Sequence, residues 1–361
     1  MRKYFNYTKS NDESFNALVE GTLELARASY EGNKPADYMA KNASLIEGIA
    51  KKAVEGTIYE ADFEAQGTAV FSRPNVRNNS TVRDNFNAVI AQVVTAIVPE
   101  VVNDTFSRFI AEVKQVGFGE TARFIIESND LFKVNSKAEG VRKGVDQPMF
   151  NEEITVNAKP LTIDAAIDWY PFVSKVMDMG NFALKIGRSF MAYIFLKAVK
   201  GMTQATTEFG AAYTTNGVTP LLWGTLRERV SAANGGMPVM AIGTAVALSN
   251  ASLAGNYQVQ IGEEMNKVGY LDQYLGVPLI GLNNVLVPGT TNGSATLALP
   301  DNIIYIIPAA GDRPVKIVFE GNEVSVMFNP DETSDSRYGI SISLRAGVSV
   351  ICGAKYGTIQ L

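Results

Sequence analysis

Thr121-Ala122-Arg123-Phe124-Ile125-Ile126 reads as a strand, and Glu153-Ile154-Thr155-Val156-Asn157-Ala158 as its return. Between them, residues 128–148 form a long polar stretch that carries Lys133, Lys137, Glu139, Arg142, Lys143 and Asp146. Connections of that length without a core of their own are uncommon in compact domains and tend to be functional. A lone two-stranded ribbon is marginal in water. The ribbon therefore needs a surface to lie on. Gly117-Phe118-Gly119, just ahead of it, marks a bend. It is no phosphate-cradling loop, since a third glycine is missing and a strand follows instead of a helix.

Downstream, Met179, Ala183, Ile186, Phe190 and Tyr193 alternate four and three residues apart, the stripe of one continuous helix over about residues 174–203. At 1.5 Å per residue it would be roughly 45 Å long, more than an ordinary small domain needs for its core. Met177, Met179, Met191 and Met202 lie on or beside it and are read as packing residues.

Upstream, residues 1–66 read as polar helices. Phe15, Leu18, Val19 and Leu25 recur at helical spacing up to Gly32 and Pro35, and Leu45, Ile46, Ile49, Ala50 and Ala53 form a second stripe. Both stripes are narrow and call for a partner surface. Residues 66–85 look like a linker. Phe86, Val89, Ile90, Val93, Val94, Ile97 and Val98 then mark a helix stopped by Pro99, with a further helical face at Phe106, Phe109, Ile110 and Val113.

The C-terminal half is mixed. Residues 221–230 look helical, and Val239-Met240-Ala241-Ile242-Gly243 looks like a buried strand with a short helix after it. Strands are expected at Tyr274 to Ile280, Ile303 to Ile307, Val315 to Phe319 and Val324 to Phe328. Glu320-Gly321-Asn322-Glu323 is read as a hairpin turn between the last two. Ile340, Ile342 and Leu344 alternate, and Val348 to Ile351 follows.

A chain of 361 residues exceeds the usual size of a single core, so sub-domains are expected. Its net charge of −5 gives no sign of a basic stripe, so any contact with DNA is expected to be loose and non-specific. Histidine is absent and Cys352 is the one cysteine. Histidine-based triads and Cys/His zinc sites are thereby excluded, and no catalytic, cofactor or metal residue is expected. Asp164 with Asp168, or Glu152 with Glu153, could be drawn as a glycosidase-type carboxylate pair, but chance pairs of this kind are common. The acidic run 331–335 lacks the spacing of a calcium loop. Cys352, in the apolar run Val350-Ile351-Cys352-Gly353, reads as a structural thiol. The basic start has no apolar stretch behind it, and the run from Phe190 to Leu196 is broken by Lys197. A protein without a membrane partner is expected.

The order of these elements resembles the major capsid proteins of tailed double-stranded DNA bacteriophages, which share the Hong Kong 97-type fold. Pro238-Val239-Met240-Ala241-Ile242-Gly243-Thr244-Ala245 is similar to the start of that family's axial domain, and Tyr274-Leu275-Gly276-Val277-Pro278-Leu279 to its turn and strand. The segment Ile340 to Val348 is similar to the strand that returns to the peripheral domain. The resemblance covers residues 85–361. It implies an α+β chain divided as a helical N-terminal arm (1–116), an extended loop (117–166), a peripheral domain with a spine helix (167–235), an axial domain (236–305) and a returning β segment (306–361).

It further implies a non-enzymatic shell protein that assembles with itself as pentamers and hexamers into an icosahedral head enclosing DNA. Portal, scaffolding and decoration proteins are the other implied partners, and the location is the virion after assembly in the host cytoplasm. Phe124, Ile126, Lys133, Lys137, Arg142, Lys143, Ile154 and Val156 are the expected inter-subunit contacts, and the N-terminal helices are expected to reach a neighbour. Lys133, Lys137 and Lys143 stand where a covalent cross-link could start, although no acceptor can be matched. An encapsulin-like cellular compartment of the same fold and a carboxylate-pair hydrolase are the rival readings.

Overall fold

The computed structural model describes residues 12–106, 110–127, 131–134, 147, 151–253, 269–290, 292–321, 325–328, 337–351 and 353–361. The architecture is α+β: several helices gather at the N-terminal end, and the described strands form a five-stranded sheet, a six-stranded sheet and a two-stranded ribbon, with further helices between them.

Three long helices meet at the start of the fold: α1 (Glu13–Tyr30), α2 (Tyr38–Val54) and α5 (Ser80–Phe106). The side chain of Asp12 caps α1 by accepting from the backbone N–H groups of Ser14 and Phe15. Gly21 and Gly48 let α1 and α2 approach closely, since a Cβ on Gly48 would lie 2.5 Å from Leu18. The expected linker is structured. It contains α3 (Glu60–Gln66), a 3₁₀ turn over Gly67–Ser72 and α4 (Pro74–Arg77). Its Val70, Phe71 and Val76 are wholly buried. Phe71 stacks on Trp169 at 5.4 Å between ring centroids, and Phe86 meets Phe172 edge-on at the same distance.

Pro99 does not end α5, which runs on to Phe106. An interior proline costs about 3 kcal/mol; the burial of Phe86, Val89, Ile90 and Val93 against the core offsets it. Ile110 and Val113 are not helical either. Ala111–Val116 is strand β1, where Ala111, Val113 and Gln115 alternate with Glu112, Lys114 and Val116 beside a neighbouring strand.

The first sheet is organised by the 14-residue strand β12 (Arg337–Val350). On one edge it pairs over ten positions with β4 (Lys159–Asp168). On the other edge lie β10 (Val315–Glu320), opposite Val350 to Ala346, and β11 (Ser325–Phe328), opposite Ser343 to Ile340. The expected β10–β11 hairpin is therefore not formed: both strands run the same way along one edge of β12. Pairing with a strand long enough to hold both replaces the local turn. β1 closes the sheet in parallel with β10.

The second sheet has the order β5-β13-β9-β6-β8-β7, with β5 Thr214–Asn216, β6 Val239–Gly243, β7 Gln273–Tyr274, β8 Val277–Gly281, β9 Ile303–Pro308 and β13 Gly357–Gln360. Helices α8 (Pro220–Ala233) and α9 (Ala245–Leu253) pack on it, burying Trp223, Leu226, Val230, Ala247 and Leu248.

The short helix α6 (Trp169–Val173) precedes the long helix α7, which spans Met179–Glu208 and so both starts and ends five residues later than expected. Asp178 sets the start, its carboxylate accepting the backbone N–H of Asn181 at 2.9 Å. α7 lies against α1, α5 and β12, and two glycines allow the close approaches. A Cβ at Gly180 would come within 2.8 Å of the Ala26 backbone nitrogen, and one at Gly201 within 2.5 Å of the Val350 side chain. The N-terminal helices therefore find their partner surface on their own chain, contrary to the expectation that they reach a neighbour for it.

Candidate functional site

β2 (Ala122–Glu127) and β3 (Asn151–Val156) pair antiparallel, with Phe124 opposite Ile154 and Ala122 opposite Val156. The two-residue period places Ala122, Phe124, Ile126, Ile154 and Val156 on one face. That face rests on Val318 and Ile351 of the chain's own first sheet. Gly347 of β12 makes room for the chain leaving the ribbon, since a Cβ there would lie 2.6 Å from the carbonyl oxygen of Asn157.

A polar frame surrounds this contact. Lys316, only 1% exposed, bonds to Glu112 at 2.6 Å and to Asp312. Lys114 donates to the carbonyl of Arg123 at 2.9 Å and lies 4.2 Å from the centre of the Phe124 ring, with Lys316 5.4 Å from the same ring. Burial pushes the Glu112 carboxyl up, but the Lys316 and Lys114 ammonium groups outweigh it and hold the group below its ordinary range.

The bend before the ribbon is locked as well. Gly119 has φ +82° and donates its N–H to Glu320 at 3.0 Å. Glu320 in turn bonds to Arg345 Nε at 2.9 Å, and the Arg345 guanidinium lies 5.6 Å from the centre of the Phe118 ring. The Gly119 N–H and Arg345 together hold the Glu320 carboxyl below its ordinary range.

Beyond the anchor the exposure changes. Ile125 is 70% exposed on the outer face of the ribbon, and Leu131, Phe132 and Val134 are 94%, 58% and 94% exposed. The side chain of Gln147 bonds both the N–H and the carbonyl of Lys133, at 2.7 and 2.8 Å, and so ties this segment in place.

Of the expected contact residues, Phe124 and Val156 are buried within this chain, Ile126 and Ile154 are half-buried on the same face, and Lys133 is exposed. Lys137, Arg142 and Lys143 lie outside the described residues, as do Cys352 and the acidic run 331–335. The sequence reading passed over Leu131, Phe132 and Val134, whose apolar character in so polar a stretch was the available signal.

The chemical alternatives gain nothing from the geometry. Asp164 and Asp168 lie on one face of β4, four residues or about 13 Å apart at the rise of a strand. Paired glycosidase carboxyls stand about 5–9.5 Å apart. Asp164 accepts from the hydroxyl of Ser341. Among the described residues no group of acidic or cysteine side chains could hold a metal ion, and no helix is long and apolar enough to cross a membrane.

Residues 32–360 match the family described as "SPbeta prophage-derived putative capsid protein YonB". No curated protein matches the chain. Among solved structures, it is similar to the capsid of a native GTA particle, at 11% identity and TM-score 0.48, covering 72% of this chain and 90% of that one. It is also similar to the satellite phage P4 procapsid that includes the size determination (Sid) protein, at 10% identity and TM-score 0.46, covering 78% and 97%. A virus-like particle from Pyrococcus furiosus is similar at 11% identity and TM-score 0.41, covering 75% and 99%.

Proposed function

The chain belongs to the YonB family of prophage-derived capsid proteins, and from that premise we propose that it is the subunit of an icosahedral phage head of the Hong Kong 97 type, self-assembling as pentamers and hexamers around double-stranded DNA. The role is structural, with no catalytic residue and no cofactor. The observation that carries the reading is the ribbon: its base is fixed to the chain's own sheet, while Leu131, Phe132 and Val134 project into solvent. Apolar side chains at such exposure gain about 1.5–3 kcal/mol each when a partner covers them. Many such modest contacts, repeated around a closed shell, give cumulative stability.

Lys133, Lys137, Arg142 and Lys143 serve that contact together with the apolar segment. Phe124, Ile126, Ile154 and Val156 contribute by fixing the direction in which the ribbon points. The chain is divided into N-terminal arm, extended loop, peripheral domain, axial domain and returning segment as the family resemblance implies, with α7 as the spine. Portal, scaffolding and decoration proteins complete the particle, which assembles in the host cytoplasm.

Negative-stain electron microscopy with size-exclusion chromatography of the purified chain tests this. Closed shells, or stable pentamers and hexamers, are the expected result. A monomer at every concentration would overturn the proposal.

A further inference from the structure

The mild acidity of the whole chain conceals a concentrated positive surface on α7. From Met179 to Thr207 the helix contains Lys185, Arg188, Lys197 and Lys200 and no acidic residue, the first being Glu208. All four cations are exposed, because the other side of α7 is covered by α1, α5 and β12. At 3.6 residues per turn, Lys185, Lys200 and Lys197 fall within about 120° of one another, Arg188 lies about 60° to the other side of Lys185, and the cations extend about 22 Å along the axis. The expectation that the sequence holds no basic stripe is therefore corrected.

Their surroundings leave these charges available. None of the four has an ion-pair partner among the described residues, whereas Lys34, Lys41, Lys52, Lys175 and Lys316 all have one. Arg188 lies 5.4 Å from the Tyr30 ring centre and Lys197 5.5 Å from that of Tyr193, contacts that position a cation without neutralising it. Ser189, Tyr193 and Gln204 on or beside the same face add hydroxyl and amide groups of the kind that bond phosphate oxygens. Before Glu208 the helix itself offers no acidic side chain to select a base.

We infer that the exposed face of α7 is a nucleic-acid-facing surface that tracks the phosphate backbone of duplex DNA without reading its sequence. A row of cations without ion-pair partners among the described residues, on one helix of a chain of net charge −5, has the charge complementarity that duplex DNA offers along its length. The inference rests on the capsid reading for its biological setting, where it places this face of α7 toward the lumen. The binding itself is a property of the single chain.

The test uses the full-length chain, kept unassembled by dilution and checked by size-exclusion chromatography, with a 30-base-pair duplex as probe. Binding is measured from 50 to 200 mM salt for the wild type, for K185Q/R188Q/K197Q/K200Q, and for the charge-matched control K51Q/R77Q/K159Q/R229Q. Four phosphate contacts contribute a slope of about −3.6 in log K against log salt, or roughly 150-fold across that range. The α7 variant is expected to lose that part of the slope, and the control to keep it. Equal losses in both variants would show a net-charge effect and overturn the inference. So would an unchanged α7 variant, or an acidic peptide that displaces the duplex at equal charge. Thermal unfolding of each variant guards against misfolding. Electron microscopy of the same proteins reports assembly separately, so failure of the capsid reading and failure of the stripe give different results.

Discussion

The hydroxyl of Tyr38 lies 2.7 Å from Asp178 Oδ1, which joins the first residue of α2 to the residue that caps α7, 140 positions away. Lys34 adds an ion pair to the same carboxylate at 2.9 Å. The buried Asn42 side chain completes the lock, donating to the Met177 carbonyl at 2.7 Å and accepting the Met179 N–H at 3.1 Å. The N-terminal helices and the long helix are thus fastened through three side chains. Tyr38→Phe is expected to cost about 1.5 kcal/mol, the low end for a hydrogen bond to a charged group, because Asp178 keeps Lys34 and Asn181. Asn42→Leu strands a buried N–H and a buried carbonyl together and is expected to cost more. Chemical denaturation of the two variants checks both the sign and the order.

Gly180 offers a test with an unusual sign. In an ordinary helix interior, glycine to alanine stabilises by about 1 kcal/mol. Here the new Cβ would stand 2.8 Å from backbone atoms of Leu25 and Ala26, so α1 and α7 must separate. Gly180→Ala is expected to destabilise by about 1–3 kcal/mol, as overpacking does. A stabilised variant in thermal denaturation would mean that α1 does not lie on α7.

The pH dependence follows from the carboxylates. Glu112 and Glu320 are lowered from 4.5 and Asp178 from 3.8, in each case because paired N–H, O–H or cationic groups outweigh desolvation. A group whose folded pKa is depressed contributes stability that is present above its unfolded pKa and lost as pH falls through the folded one. Stability should therefore decline below about pH 4.5, and further below about pH 3.8 as Asp178 protonates. With no histidine in the chain, no side chain has an ordinary pKa between 5 and 8. The unfolding temperature at pH 6 and pH 8 should differ little. A steep change between those two values would contradict this account.

Much of the fold is legible where local pattern and tertiary role coincide. Val239 to Gly243 is read as a buried strand and is one, with all five residues buried. The ribbon strands and α8 also lie close to their expected positions. What escapes the sequence is non-local. β10 and β11 share one edge of β12, and nothing near Gly321 announces that. Glu112 and Lys114 gain strand geometry from β10, 204 residues away in chain order. The α1 and α2 stripes show that a partner is needed, but Gly180, which identifies the partner as the chain's own helix, resembles any other helical glycine. The candidate site is half legible for a similar reason. Alternation identifies the two faces of the ribbon, yet which face meets the chain itself depends on Val318 and Ile351.

That division gives a final prediction, in which two phenylalanines of one ribbon behave oppositely. Phe124 is 1% exposed, between Val318, Ile351 and the two lysine ammonium groups, whereas Phe132 is 58% exposed. Truncating a buried phenylalanine costs about 3–5 kcal/mol, so Phe124→Ala should lower the stability of the isolated chain. Phe132→Ala should change that stability by less than about 0.5 kcal/mol, as surface substitutions do. Its effect should fall on assembly, with the concentration needed for shells rising even though the subunit is fully folded. Denaturation of the unassembled chain and light scattering during assembly separate the two quantities. If Phe132→Ala assembles like the wild type, the apolar segment does not make the contact assigned to it. If Phe124→Ala leaves the isolated chain unchanged, the ribbon is not seated on its own sheet.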